Sequence, residues 1–272
     1  CGIAEPHEPL PAKVVVAGAA ESTHVSIKNL SFAYPDQPES RVLRDLNFTI
    51  EQGQVVGLFG GVGAGKSTLV NILNGHLKIP PGHVYLNGED IVSLGHQRLR
   101  AQVRTVSQEP FLFSDSIRNN IALAVDDGNG SRILDAAEAA ALGPDLERMP
   151  SGLETVVGER GITLSGGQKQ RVALARALVE PSPVLLLDDV LSAVDHDTER
   201  ALIDAIYAQV HEQATLLVSH RLSVLERADL VLVLDDGYIF ERGSHAQLID
   251  RSGPYRDAWL LQRSGQPENP RA

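Results

Sequence analysis

The sequence predicts an α/β protein: a mostly parallel core sheet, an antiparallel β layer ahead of it, and an α-helical part inserted into it. Three observations carry that expectation. Short apolar runs at 55–59, 184–187, 215–218 and 230–234 have the length and composition of strands buried on both faces. They alternate with helical patterns that open at Lys66 and cover 168–179 and 197–209; such alternation is what a helix-covered parallel sheet requires. Ahead of them, residues 24–34 alternate apolar and polar side chains, and 42–50 read as the returning strand.

Taken in order, residues 1–22 are rich in Pro, Ala and Glu without a period and read as a linker or tether. One large domain is expected over 23–272. Pro35-Asp36-Gln37-Pro38 turns the first two strands, and Gln52-Gly53-Gln54 leads into the strand at 55–59. Pro80-Pro81-Gly82 then breaks the chain before a short strand at 83–86, and Asn87-Gly88 is a turn signal. A short helix is expected at 94–100 and a strand at 103–107, ended by Gln108. From 116 to 149 the pattern is helical, with Ser131 expected as the N-cap of an Ala-rich segment. Residues 155–161 read as a loop. The inserted helical part is expected at about 109–180. Gly237 closes a turn, and the tail after it is expected to be helical and then to fray.

Composition limits the partners. The chain has 272 residues and a net charge of −11, an acidic balance that argues against nucleic acid as a partner. Its single cysteine, Cys1, excludes an internal disulfide and suits a reducing compartment. No apolar run is long enough to cross a bilayer. A start at Cys rather than Met reads as a piece of something longer.

The chemistry is concentrated after the strand at 55–59. Gly60, Gly61, Gly63, Ala64 and Gly65 are followed by Lys66, Ser67 and Thr68, with the spacing G-x-x-x-x-G-K-S from Gly60 to Ser67. This is the spelling of a P-loop. Glycines let the backbone curl and aim successive N–H groups at phosphate oxygens. The helix opening near Lys66 adds its positive dipole end. Lys66 supplies a charge for the outer phosphates of ATP, and Ser67 a hydroxyl for Mg²⁺. The strand 184–187 delivers Asp188 to its carboxyl end, where open α/β sheets bind ligands, as a second Mg²⁺ anchor. Leu164-Ser165-Gly166-Gly167-Gln168 opens another helix and offers a second anion site.

With these residues the chain resembles the nucleotide-binding domain of an ABC transporter, a P-loop NTPase. It has the Walker A loop 60–68, the signature 164–168, the Walker B strand ending at Asp188, the D-loop Ser192-Ala193-Val194-Asp195, the Q-loop Gln108 and the switch histidine His220. The resemblance covers residue 24 to the last helix. It implies ATP hydrolysis with Mg²⁺ in head-to-tail dimers, each ATP lying between Walker A of one domain and the signature of the other. It implies adenine stacking on Tyr34, a Mg²⁺- and water-sensing Gln108, and a γ-phosphate contact from His220. Residues 110–121 and 155–161 resemble exporter segments, the latter the X-loop that touches the membrane part. That implies a transmembrane domain on the same full-length chain and a place at the cytoplasmic face of the cell's inner membrane, with this fragment itself soluble.

One position departs from the pattern. Hydrolytic members carry Glu after the Walker B Asp; here it is Asp189, one methylene shorter. In the family, Asp commonly marks the half of a heterodimeric exporter whose own site is weak and whose intact signature completes its partner's site. Three rivals stay open: an ATP-dependent clamp without turnover; a soluble ABC ATPase acting on DNA or ribosomes, which the acidic charge, single glycine loop and X-loop oppose; and a homodimeric exporter with a slow Asp.

Overall fold

The structure, a computed structural model, describes residues 25–123, 125, 130–158, 161–191, 196–209 and 213–264. The expected tether at 1–22 lies outside the described residues.

Two sheets organise the chain. Strands β1 (Val25–Ala33) and β2 (Arg41–Ile50) pair antiparallel, with Val25 opposite Ile50 and Ala33 opposite Arg41. The other edge of β1 takes β4 (Val84–Leu86), which pairs with β5 (Glu89–Asp90), giving the order β2-β1-β4-β5. Strand β5 was not expected, although its turn was. Asn87 and Gly88 both take positive φ, 51° and 81°, the backbone of a two-residue hairpin.

The larger sheet has six strands in the order β10-β9-β3-β8-β7-β6. They are β3 (Val55–Phe59), β6 (Val103–Val106), β7 (Val184–Asp188), β8 (Ala214–Val218), β9 (Leu230–Asp235) and β10 (Tyr238–Gly243). Every pairing is parallel except β9 with β10. Strand β10 corrects the expectation of a wholly helical tail. Asp236-Gly237, with φ of 42° and 80°, closes a second two-residue hairpin and sends the chain back along β9.

Successive side chains of the core strands face opposite ways, as strand geometry demands. Val56, Leu58, Leu186, Leu216 and Leu232 pack with β1, β2 and helix α1 (Lys66–Leu73) in one hydrophobic cluster. Val55, Phe59, Leu185, Leu187, Leu217 and Val231 face a second cluster. Into that cluster pack α3 (Ile117–Ala122), α4 (Gly130–Ala139), α6 (Gly166–Leu178) and α7 (His196–Gln209). The central strands β3, β7, β8 and β9 are nearly all apolar because both faces are covered.

Helix α2 (Ile91–Gln102) is longer than the expected 94–100. Asp90 caps it by accepting from the Val92 N–H at 2.8 Å, and Gly95, at φ 71°, breaks it internally. The helical run from 116 is three helices, with α5 (Gly143–Arg148) the third. Ser131 lies inside α4, not ahead of it. The phase of α4 is set by its buried stripe, Ile133, Ala136 and Ala137, which outweighs the cap preference of one serine. Arg176 of α6 binds this layer together: it donates to the Asn120 carbonyl at 2.7 Å, to Asn120 Oδ1 at 3.0 Å and to the Phe111 carbonyl at 3.1 Å. Three short elements complete the chain, α8 (Leu222–Leu225), α9 (His245–Ile249) and α10 (Pro254–Ser264). Among the described residues no helix is long and apolar enough to cross a membrane.

Candidate active site

Four neighbouring strands, β3, β8, β7 and β6, end at one edge of the large sheet, and the loops that leave them surround a cavity of about 420 Å³. From the glycine loop come residues 62–68; from β7 come Asp188 and Asp189; His220 follows β8 and Gln108 follows β6. Residues more than 150 positions apart in sequence thus share one cleft, at the carboxyl ends of the strands.

The glycine loop is shaped by sterics that differ from residue to residue. A Cβ on Gly60 would sit 2.3 Å from the Leu234 carbonyl oxygen. On Gly65, at φ 105°, it would meet Leu43 at 2.7 Å and the Val42 carbonyl at 2.9 Å. Gly63 needs its φ of 84° and has open space around it, whereas Gly61 has open space and no positive φ. Gly65 is also the N-cap of α1, and no side chain caps that helix. Glycine has no side chain with which to cap the helix, so the positive end of its dipole opens toward the cleft, the arrangement a phosphate can satisfy. Lys66 Nζ, nearly buried, donates to the carbonyls of Gly60 at 2.6 Å and Gly61 at 2.8 Å. Ser67 is exposed, and Thr68 shares a 3.1 Å hydrogen bond with the Tyr34 hydroxyl. Tyr34 packs edge-on against Phe32, with centroids 5.2 Å apart, and does not line the cavity.

Two adjacent carboxylates face the loop. Burial raises the pKa of Asp188, and repulsion from Asp189 raises it further; Lys66 and His220 pull it down. A cation beside such a pair would offset its charge. Among the described residues no cluster of three His, Cys, Asp or Glu side chains could hold a metal alone. An oxygen donor set of Ser67, Asp188 and Gln108 fits Mg²⁺, which draws the rest of its shell from water and phosphate. Asp189 is buried, with its N–H on the Val218 carbonyl at 3.0 Å and φ at 50°. Gln108 Nε2 lies 3.5 Å from Asp189 Oδ2.

The segment Leu164 to Gln168 stands apart from this cleft, and none of its residues lines it. Leu164 is buried while Ser165 and Gly166 are exposed at the start of α6. Ser165 and Gln168 form a capping box: the Ser165 hydroxyl accepts from the Gln168 N–H at 3.2 Å, and Gln168 Oε1 accepts from the Ser165 N–H at 2.9 Å. Sequence reasoning missed the residue that holds this box. Asp145 of α5 accepts from Gln168 Nε2 at 3.0 Å and from two Arg171 nitrogens at 2.9 and 2.6 Å. It missed Gln170 too, which donates to the Gln108 carbonyl at 3.1 Å and so ties α6 to the loop after β6. An acidic residue in α5 and a glutamine in α6 carry no spacing signal that would single them out. Asp195, with the rest of 192–195, lies outside the described residues.

A family model of ABC transporters matches residues 43–192. An ATP-dependent lipid A-core flippase of Pseudomonas fluorescens is 42% identical over 249 residues, covering 91% of this chain and 41% of the relative. A flippase of the same description from Vibrio parahaemolyticus is 43% identical over 239 residues, covering 88% and 41%. The chain thus spans about two fifths of the length of these curated relatives. Among solved structures, one of a bacterial Atm1-family ABC exporter with ATP bound aligns with a TM-score of 0.84 at 37% identity, over 90% of this chain and 43% of that one. The match over 43–192, together with a parallel sheet whose carboxyl edge gathers the glycine loop, two carboxylates, Gln108 and His220, shows that the chain belongs to the ABC transporter family, as its ATPase domain.

Proposed function

We propose that this domain binds ATP with Mg²⁺ and powers export across a membrane through ATP-driven head-to-tail dimerisation. Its partner in the dimer is a second ABC ATPase domain, of a different subunit, and its own site is the weaker of the two. A transmembrane domain on the same polypeptide receives the work, so the domain acts at the cytoplasmic face of the membrane, with no nucleic-acid partner. The named relatives, lipid A-core flippases and an ABC exporter, support the coupling to transport. The observation that carries the dimer is the separation of the two anion-binding elements. The cleft holds Lys66, Asp188, Asp189 and His220, while Ser165 and Gly166 stand exposed outside it. A second copy of the same architecture, turned head to tail, brings an exposed signature to each cleft.

In this reading Lys66 leaves the loop carbonyls for the outer phosphates, and the N–H groups at the start of α1 take the remaining charge. Tyr34 turns its ring to the adenine. Ser67, Asp188 and Gln108 would hold Mg²⁺, which would supply positive charge to the phosphates. Asp189 accepts a proton from water as the water oxygen bonds to the γ-phosphorus and the bond to the β–γ bridging oxygen breaks, with His220 on the γ-phosphate. Asp189 sits in a left-handed backbone region that Asp tolerates better than Glu. Its shorter reach leaves the water less well placed, and a displacement of about 1 Å can cost on the order of a hundredfold.

The test is steady-state ATPase over a protein concentration series, with dimerisation followed in parallel. Asp189→Glu should raise turnover roughly tenfold or more, net of backbone strain. Asp189→Asn should lose residual hydrolysis yet bind ATP and dimerise. An Asp189→Glu protein that binds and dimerises but stays as slow as the parent overturns the weak-site reading and leaves the ATPase assignment standing.

A further inference from the structure

The loop that carries His220 is gripped from two sides by residues outside the site. On one side is Gln262 of α10, whose amide makes two hydrogen bonds to the main chain that leaves the histidine: Nε2 donates to the His220 carbonyl at 2.7 Å, and Oε1 accepts from the Leu222 N–H at 3.0 Å. On the other side is Glu199 of α7, a carboxylate only 2% exposed. It pairs with the Arg221 guanidinium and accepts from the Ser223 hydroxyl at 2.7 Å. Gln262 thus fixes the backbone as it leaves His220, and Glu199 fixes the next side chains along.

Helix α10 is itself firmly seated. Tyr255, fully buried, meets Phe59 edge-on with centroids 5.6 Å apart, and its hydroxyl lies 2.9 Å from His245 Nδ1. Phe59 is the last residue before the glycine loop. Two turns further along the same helix face comes Gln262. One rigid rod therefore touches the strand that feeds the phosphate loop at one end and the His220 loop at the other.

We propose that Gln262 is a positioning residue for ATP hydrolysis: it sets the main chain at His220, and so makes turnover depend on the docking of the carboxyl-terminal helix. This rests on the reading of His220 as the γ-phosphate contact. The competing role is simple capping, since Leu222 opens α8 and the N-cap Arg221 offers no side-chain cap. The two halves of the amide separate these roles. Capping uses only the acceptor; positioning uses the donor to His220 as well.

The experiment compares His220→Ala, Gln262→Met and Gln262→Glu in the intact protein, measuring kcat, KM for ATP and nucleotide binding by calorimetry. Gln262→Met keeps the length and loses both bonds. Gln262→Glu keeps the acceptor and sets a carboxylate against the His220 carbonyl. Both should lower kcat about tenfold or more, with KM and ATP affinity within twofold of the parent. Full turnover in Gln262→Glu would reduce Gln262 to a cap and overturn the proposal. Loss of ATP binding in both variants would make it a residue of the fold and overturn it equally. Full turnover in His220→Ala would overturn the reading of His220, and this inference with it.

Discussion

At the scale of single residues, the site is under electrostatic tension. Asp188 and Asp189 stand side by side with partial burial, and the pKa of Asp188 is raised by that burial first and by its neighbour second. A carboxyl whose folded-state pKa exceeds its unfolded value holds its proton more tightly in the folded chain. Stability therefore falls as pH rises through the window between the two values, and the cost is fully present once pH lies above both. Asp188→Asn removes the charge, so it should raise the Tm of the nucleotide-free protein at pH 7 while weakening Mg²⁺-ATP binding. The gain in Tm should vanish below about pH 4, where the carboxyl is protonated in both states. Thermal scans at several pH values check this; a Tm at pH 7 that falls in Asp188→Asn would refute the account of strain. The glycine loop was legible in the sequence down to its spacing, yet the separate demands on its glycines were not. Gly60 and Gly65 are fixed by Leu234 and Val42, residues remote in sequence that only the fold brings near.

Among the elements, α6 is the one whose register matters most, because its first turn carries Ser165, Gly166 and Gln168. That register depends on Asp145, whose carboxylate serves Gln168 and Arg171 at once. The Arg171–Asp145 pair is largely buried, with side-chain exposures of 10% and 13%. Removing one partner of a buried pair leaves the other charge uncompensated, at about 3–5 kcal/mol. Asp145→Ala should destabilise the chain by about that amount in urea unfolding, and an effect under about 1 kcal/mol would mean Arg171 finds water instead. Helix and strand existence was readable from periodicity, and the parallel strands were placed to within a residue or two. What escaped was short and set by turn chemistry: β5 and β10 are stabilised by hairpins at Asn87-Gly88 and Asp236-Gly237, whose dipeptides were visible while the strands beyond them were not. Strand β10, with Phe240 and Tyr238 exposed, alternates too weakly to announce itself.

For the whole molecule, the proposed head-to-tail dimer makes association the central event. In that proposed dimer, Ser165→Arg would place bulk and charge where the partner's γ-phosphate would dock. Sedimentation with ATP, in a background blocked for hydrolysis, should show the dimer lost while nucleotide binding by each monomer survives. Persistence of the dimer through this change would contradict the head-to-tail arrangement.

The strand order carries a last consequence, for how the molecule comes to exist. The four strands whose ends build the cleft are adjacent in space, β3-β8-β7-β6, but lie at 55–59, 214–218, 184–188 and 103–106 along the chain. None of their parallel pairings can be made by a local hairpin; each closes a long loop whose entropy must be met before the pairing returns anything. During synthesis, the glycine loop emerges early and waits for β8 to insert beside β3, and β7 reaches the sheet through β8. The ability to bind nucleotide is thus a property of the completed sheet, arriving late and all together, so that ATP can act as a ligand that rewards only chains already folded.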